Sequence, residues 1–256
     1  MEPVTFANGR GLRLAGHYWP ADGAAAVAMI HAFCNDKASN GRFDRLGAAL
    51  QDAGLAALAF DVAGCGESAD TALSASGMVD DLAAACDWLR AAGKTDIGLF
   101  GNSLGGSICL KAALPGITAI AASGAAASAM AYDWAEHFQP HQLEELEQTG
   151  AITETVESDW RQHVTIGAEM LLDFTQAERA PRLEALTCPV LLLYGGDESD
   201  AEEQALLAGA RGNLDRLPPG SSIAVIAGQR HGLRGDWEGA VARIVPWLSA
   251  RLRTTP

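Results

Sequence analysis

The segment formed by residues 97–110 constrains the fold of this chain more than any other part of its sequence. A short apolar run at 97–100, typical of a buried strand, leads directly into Gly-Asn-Ser-Leu-Gly at 101–105, and a helix-compatible stretch follows. This G-x-S-x-G pattern between a strand and a helix predicts a sharp, strained turn, in which a Cβ beside the serine would clash with nearby backbone. We expect the turn to hold the Ser103 hydroxyl above the sheet edge, at the positive end of the helix.

The rest of the sequence alternates strand-length apolar runs with segments of helical periodicity. Continuous apolar strands separated by helices are typical of a mostly parallel sheet that is covered on both faces. Buried strands are predicted at 24–31, 55–60, 97–100, 117–122, 190–194 and 223–227, an edge hairpin at 4–6 and 12–19, and helices at 41–53, 78–89 and 237–252. The sequence therefore predicts an α/β fold built on an eight-stranded, mostly parallel sheet.

One region interrupts this alternation. Residues 127–186 show no buried strand, and charged and aromatic side chains are frequent there. We therefore expect a core formed by residues 1–126 and 187–256, with 127–186 as a helical insertion. Because concave binding sites are mostly lined by apolar and aromatic side chains, the aromatic residues of the insertion are candidates for substrate binding, with packing in a small core of its own as the alternative for each. They are Trp134, Phe138, Trp160 and Phe174.

Composition excludes several classes of partner. The net charge of −14 argues against nucleic acid and anionic membranes, and no apolar run approaches the ~18 residues of a membrane span. The first residues lack the basic start and apolar stretch of a signal peptide, and the five cysteines show no zinc-like pairing, so reduced thiols and a cytoplasmic location are expected. No cofactor or metal is predicted, because Pro140 separates His137 from His141 and no third ligand is near. The oligomeric state stays open.

Two further strand ends supply partners for the serine. A serine hydroxyl needs a base, an orienting acid and an oxyanion hole to act as a nucleophile. The strand at 190–194 leads into Gly-Gly-Asp197, and the strand at 223–227 leads into a glycine-rich turn with His231. Both positions follow the carboxyl ends of strands, where open α/β sheets place their sites. We expect His231 to be the base and Asp197 the acid, with Glu198 and Asp200 of the same acidic turn as alternatives.

The oxyanion hole is predicted from two backbone amides. One is the N–H of Leu104, which follows the serine directly, and the other comes from the loop after an early strand. That loop is His-Ala-Phe-Cys-Asn-Asp-Lys at residues 31–37, and Phe33 is the expected donor. His31 is expected to anchor the loop, since His231 already supplies a base.

Taken together, these residues resemble the α/β-hydrolase superfamily over nearly the whole chain. Residues 60–68, Phe-Asp-Val-Ala-Gly-Cys-Gly-Glu-Ser, resemble the D-x-x-G-x-G-x-S turn of that family, and His-Ala-Phe at 31–33 resembles its H-G-F oxyanion segment with alanine in place of glycine. Residues 31–110 are most similar to cinnamoyl/feruloyl-esterase-like hydrolases and to the hydrolase domain fused to OsmC proteins. Residues 127–186 correspond to the cap of the family.

The resemblance implies a serine hydrolase that cleaves a small-molecule carboxylic ester through an acyl-enzyme. Thioester and C–C bond cleavage remain open, since the Gly-Asn-Ser-Leu-Gly-Gly turn also resembles that of meta-cleavage C–C hydrolases, whose H-G-x-G-P-G oxyanion loop is missing here. A third hypothesis is a ligand-binding protein of this fold without catalysis, since fold alone does not fix function.

Overall fold

An eight-stranded, mostly parallel sheet organises the chain, which confirms the predicted fold class. The computed structural model describes residues 1–129, 134–156, 158–176, 179–233 and 235–252. The strands are β1 (Glu2–Ala7), β2 (Arg13–Trp19), β3 (Ala25–Ile30), β4 (Ala56–Phe60), β5 (Asp96–Asn102), β6 (Ile117–Ser123), β7 (Ala151–Thr155), β8 (His163–Gly167), β9 (Val190–Gly195) and β10 (Ser222–Ile226). The large sheet has the order β1-β2-β4-β3-β5-β6-β9-β10. In it β1 and β2 form the antiparallel edge hairpin, β2 also runs antiparallel to β4, and β4, β3, β5, β6, β9 and β10 are parallel to one another.

Helices cover both faces of this sheet. They are α1 (Arg42–Asp52), α2 (Ala75–Ala91), α3 (Leu104–Ala112), α4 (Trp134–His137), α5 (Pro140–Thr149), α6 (Ala168–Thr175), α7 (Ala201–Gly212) and α8 (Trp237–Ser249). Alternate residues of β3 belong to different cores: Ala28 belongs to the core that includes the apolar faces of α2, α3 and α7, whereas Val27 belongs to the one that includes those of α1 and α8. This alternation is the period of two expected of a strand that is buried on both sides. No helix in the described ranges combines the length and the apolar character needed to cross a membrane.

The segment 127–186 lies between β6 and β9 and is not purely helical, so that part of the prediction is wrong. Besides α4, α5 and α6, it contains an antiparallel hairpin of β7 and β8. The hairpin buries Ile152, Val164 and Ile166, with Ile152 opposite Ile166, while its other positions are partly or fully exposed. It is held to the core because Leu73 donates its N–H to Thr165 O (2.8 Å) and accepts from Gly167 N–H (3.1 Å).

Candidate active site

Ser103 occupies the strained turn between β5 and α3. Its backbone angles are φ 53° and ψ −119°, a region that residues other than glycine rarely adopt. Its N–H donates to Ser123 O on the neighbouring strand at 2.6 Å, which fixes the turn against the sheet. A Cβ at Gly105 would lie 2.5 Å from His31 O, so only glycine permits the loop after β3 to approach the start of α3. The strand and helix thus hold the hydroxyl at the carboxyl edge of the sheet.

His231 is in contact with this serine. The distance from Ser103 Oγ to His231 Nε2 is 2.8 Å, within hydrogen-bond range, although 128 residues separate the two. The imidazole follows β10 and is one-quarter exposed. Gly124, with φ +60°, leaves the space for the ring, because a Cβ there would lie 2.8 Å from His231 Cε1. The serine therefore has a base within reach for proton transfer.

Glu203, in the first turn of α7, supplies the carboxylate that faces this base. Its Oε2 lies 2.6 Å from His231 Nδ1, and its Oε1 accepts the N–H of Gly195 at 2.6 Å. The side chain is completely buried. Because both carboxylate oxygens have a donor partner, the buried charge is held in one orientation.

Asp197, the acid expected from the sequence, does not contact the histidine, so that assignment is not the one the structure has. Its Oδ1 accepts the N–H (2.9 Å) and the hydroxyl (2.7 Å) of Ser199, and its Oδ2 lies 3.8 Å from Arg230 Nε. The carboxylate is thereby committed to a local turn at the surface, because a short acidic side chain readily bonds to backbone two residues on.

Asp200, one of the two alternative carboxylates of this turn, contacts the backbone of the histidine rather than its ring. Its Oδ2 accepts the N–H of His231 at 2.8 Å, while its Oδ1 accepts the N–H of Glu203 at 3.1 Å. The second bond caps the N-terminus of α7. Asp200 thus links the position of the base to that of the acid.

A signal for Glu203 was present in the sequence and was missed. Asp200 followed by glutamate three residues later is the spacing of an N-cap and its N3 residue, which predicts that a helix begins between them. A helix that starts at Ala201 directs a third-position side chain back towards its N-terminal end. That is the end at which the strands terminate and at which His231 lies.

The surroundings of His231 favour its charged form. Burial alone would lower the pKa of the imidazole, but the hydrogen bond and the charge of Glu203, aided by the charges of Glu202 and Asp200, raise this pKa above its ordinary value. The carboxylate therefore stabilises the imidazolium that forms when His231 takes a proton.

The two predicted oxyanion donors lie beside the serine. Phe33 and Leu104 line the same pocket as Ser103, and within the described ranges neither backbone N–H donates a hydrogen bond to the protein. Leu104 is the first residue of α3, so its N–H also lies at the positive end of the helix dipole.

The loop that carries Phe33 is fixed by buried polar contacts. Lys37, almost completely buried, pairs with Asp61 Oδ2 at 2.9 Å and with Glu67 Oε2 at 2.7 Å. His31 accepts the N–H of Val62 at its Nε2 (3.2 Å), and its Nδ1 lies 2.8 Å from Ala32 O. Burial lowers the pKa of His31, which suits a neutral structural ring. The histidine anchors the loop, as expected.

A pocket of about 490 Å³ opens above Ser103 and His231. Three of the four aromatic residues singled out in the sequence line it, namely Trp134, Phe138 and Phe174. Trp160 does not: it is 39 % exposed, and its ring centroid lies 3.9 Å from Lys37 Nζ. In the described part of the chain no group of three or more His, Cys, Asp or Glu side chains is arranged to hold a metal ion.

Comparison with known proteins finds solved structures with a similar fold. The structure resembles the esterase domain of a Rhodothermus marinus protein (23 % identity, 98 % of this chain and 99 % of that one, TM-score 0.67). It resembles Est1E from Butyrivibrio proteoclasticus, solved with ferulic acid (17 % identity, 97 % of this chain and 98 % of that one, TM-score 0.73). It also resembles a monoacylglycerol lipase of Paleococcus ferrophilus (20 % identity, 93 % of this chain and 99 % of that one, TM-score 0.69).

At these identities the likeness to solved structures shows the fold. No match was found among curated proteins. The model of the alpha/beta hydrolase family matches residues 10–244, which is most of the sequence. The chain therefore belongs to the alpha/beta hydrolase family.

Proposed function

We propose that this hydrolase cleaves carboxylic esters through an acyl-enzyme formed on Ser103. The observation that carries the proposal is the continuous hydrogen-bonded chain from Ser103 Oγ to His231 (2.8 Å) and from His231 to Glu203 (2.6 Å) at the floor of the pocket. Nucleophile, base and orienting acid in this order form the constellation that activates a serine hydroxyl. Glu203 takes the role expected of Asp197.

Acylation begins when Ser103 Oγ attacks the ester carbonyl carbon and its proton passes to His231 Nε2. The carbonyl oxygen becomes an oxyanion, which accepts hydrogen bonds from the N–H groups of Phe33 and Leu104. Glu203 stabilises the imidazolium through its Nδ1–H. When the tetrahedral intermediate collapses, the bond to the alkoxy oxygen breaks and His231 returns the proton to the departing alcohol, leaving the acyl group on Ser103.

Deacylation reverses the roles with water as the nucleophile. His231 takes one proton from water as its oxygen attacks the acyl carbon, and the same two amides hold the second oxyanion. Collapse releases the carboxylic acid, and the proton on His231 returns to Ser103 Oγ. The net reaction consumes one ester and one water and yields one acid and one alcohol, with no cofactor.

The insertion is proposed to act as a cap that selects the substrate. Its residues Trp134, Phe138 and Phe174 share the pocket with Ser103. The Trp134 ring contacts both of the others, with centroid distances of 5.5 Å to Phe138 and 5.6 Å to Phe174. An apolar wall of this kind binds acyl chains or aromatic acids by burying their surface. In this proposal Ser103, His231 and Glu203 cleave the ester bond, and the apolar wall determines which acyl groups are preferred.

The proposal is tested with a panel of p-nitrophenyl esters of increasing acyl length, together with cinnamate esters and acyl-CoA thioesters. We expect ester turnover by the wild-type protein and a loss in kcat of at least about 10⁴-fold in Ser103→Ala. Cleavage of thioesters with no ester turnover would assign the site to another bond. A protein that cleaves none of these compounds would support the hypothesis of a non-catalytic binding protein.

A further inference from the structure

The pocket above Ser103 carries negative charge. Glu154, on β7, and Glu202, on α7, both line it, and no lysine or arginine is among the described lining residues. Glu154 accepts a hydrogen bond from Gln142 Nε2 at 2.7 Å, and because an amide is a neutral donor its charge is not cancelled there. Charge confined to a pocket with apolar walls acts over a longer distance than charge on an open surface.

The effect of these carboxylates extends to their neighbours in the pocket. Burial, and after it the charge of Glu154, raises the pKa of the Cys34 thiol to about 12. Glu202 is one of the groups whose charge raises the pKa of His231. Both affected residues line the pocket, so a ligand bound there lies within the same field.

Aromatic rings complete this environment. Phe33 lies 6.1 Å from Phe174 between ring centroids, and Phe174 in turn contacts Trp134, which stacks on Phe138. The faces of such rings attract cations, and the attraction grows when the cation is removed from water. Carboxylates and aromatic faces in one pocket therefore both favour a positively charged ligand.

Two basic side chains lie in a neighbouring cavity, where both face the same carboxylate. A second cavity of about 50 Å³ shares Leu104, Ser107, Ala126 and Phe174 with it, and Lys111 and Arg179 line that cavity. Lys111 Nζ lies 2.5 Å from Asp173 Oδ1, and Arg179 Nη1 lies 3.8 Å from the same oxygen. Two cations face one carboxylate there, so the second cavity keeps one net positive charge, but neither cation is among the residues that line the pocket with Glu154.

We propose that the pocket selects esters that carry a positive charge, such as a quaternary or protonated amine, over neutral and anionic ones, and that Glu154 is a residue that sets this selectivity. The inference deepens the proposed function, since it names the substrate class of the same site. A cationic group between the aromatic faces and Glu154 gains attraction in both directions. Polyanionic substrates such as acyl-CoA are repelled.

The test compares two esters of nearly the same shape, butyrylcholine and 3,3-dimethylbutyl butyrate, in which a tert-butyl group replaces the trimethylammonium group. Binding is measured by calorimetry in the Ser103→Ala protein, where neither ester is turned over by the serine. The same titrations are made with Glu154→Gln and, as a matched control, Glu147→Gln added. Both substitutions remove one negative charge. Glu147→Gln serves as the control because Glu147 is exposed on α5 and is not among the residues that line the pocket.

We expect the cation to bind about tenfold more tightly than its neutral counterpart in the Ser103→Ala and the Glu147→Gln proteins. In the Glu154→Gln protein we expect this ratio to fall at least about threefold. Equal binding of the two esters, or a ratio that Glu154→Gln leaves unchanged, would overturn the inference. A preserved cation preference in a wild-type protein that hydrolyses neither ester would instead contradict the proposed function and leave the ligand class supported.

Discussion

Glu203 Oε2 lies 2.6 Å from His231 Nδ1, although Asp197 is the first carboxylate after β9. The backbone explains the difference. The chain uses Asp197 to close a surface turn and Asp200 to cap α7, and only then turns back so that the first helical turn presents a carboxylate to the imidazole. A glutamate has the extra methylene needed to reach the ring from a helix.

The geometry makes opposite predictions for the two acidic residues. Glu203→Gln keeps the volume of the side chain and an acceptor for the N–H of Gly195, but it removes the charge that orients and stabilises His231. We expect kcat for a p-nitrophenyl ester to fall by about 10⁴-fold, the scale of losing a triad carboxylate. Asp197→Asn should change kcat by less than about threefold. A larger loss in Asp197→Asn than in Glu203→Gln would restore the assignment expected from the sequence.

The pH dependence of kcat/KM should report the same contact. His231 must be neutral to accept the serine proton, so activity rises with pH through its pKa. Glu203 helps to hold that pKa above the ordinary value of 6.5, whereas burial alone lowers it. The acidic limb of the profile should therefore lie above pH 6.5 in the wild-type protein and move to lower pH in Glu203→Gln. An unmoved limb would mean that Glu203 does not control the protonation of the base.

The aromatic residues of the insertion should separate into two groups. Trp134→Ala and Phe174→Ala remove parts of the pocket wall, so we expect the ranking of acyl chain lengths by kcat/KM to change. Trp160→Ala lies against Lys37 outside the pocket and should leave the ranking intact. If the Trp160 variant reorders the substrates and the other two scale all of them alike, the proposed acyl wall is wrong.

Removing one partner of the buried ion pair between Lys37 and Asp61 should be strongly destabilising. Lys37→Met leaves the fully buried Asp61 without its ammonium partner, and breaking a buried pair in this way costs about 3–5 kcal/mol of the free energy of unfolding. Glu67→Gln removes a carboxylate that is 48 % exposed and should cost less than about 1 kcal/mol. Urea unfolding of both variants measures the difference, and equal losses would contradict this account.

The sheet and the serine were predictable because their signals are local. Apolar runs such as Ala25–Ile30 are buried on both faces, and each has one continuous hydrophobic pattern. The turn around Ser103 needs a defined set of small residues on either side, which few sequences offer in that context. His231 was predictable for a related reason, since a glycine-rich turn after a strand leaves few roles for a histidine.

The acid and the insertion depended on contacts that sequence patterns do not contain. Whether Asp197, Asp200 or Glu203 faces the imidazole is decided by where α7 begins and how its first turn is oriented. The hairpin of β7 and β8 was missed because five-residue strands with polar alternate positions give only a weak signal beside the helices around them. Trp160 is held by Lys37, a partner 123 residues away in the sequence.

Covalent labelling shows whether Ser103 is a nucleophile that His231 activates. The protein is incubated with a fluorophosphonate probe and the modified residue is located by peptide mass mapping, in the wild-type protein and in His231→Ala. We predict a single phosphonylated residue, Ser103, in the wild-type protein and labelling slowed by at least about 10³-fold without the imidazole. A protein that stays unlabelled, or one labelled at another serine, would contradict the account.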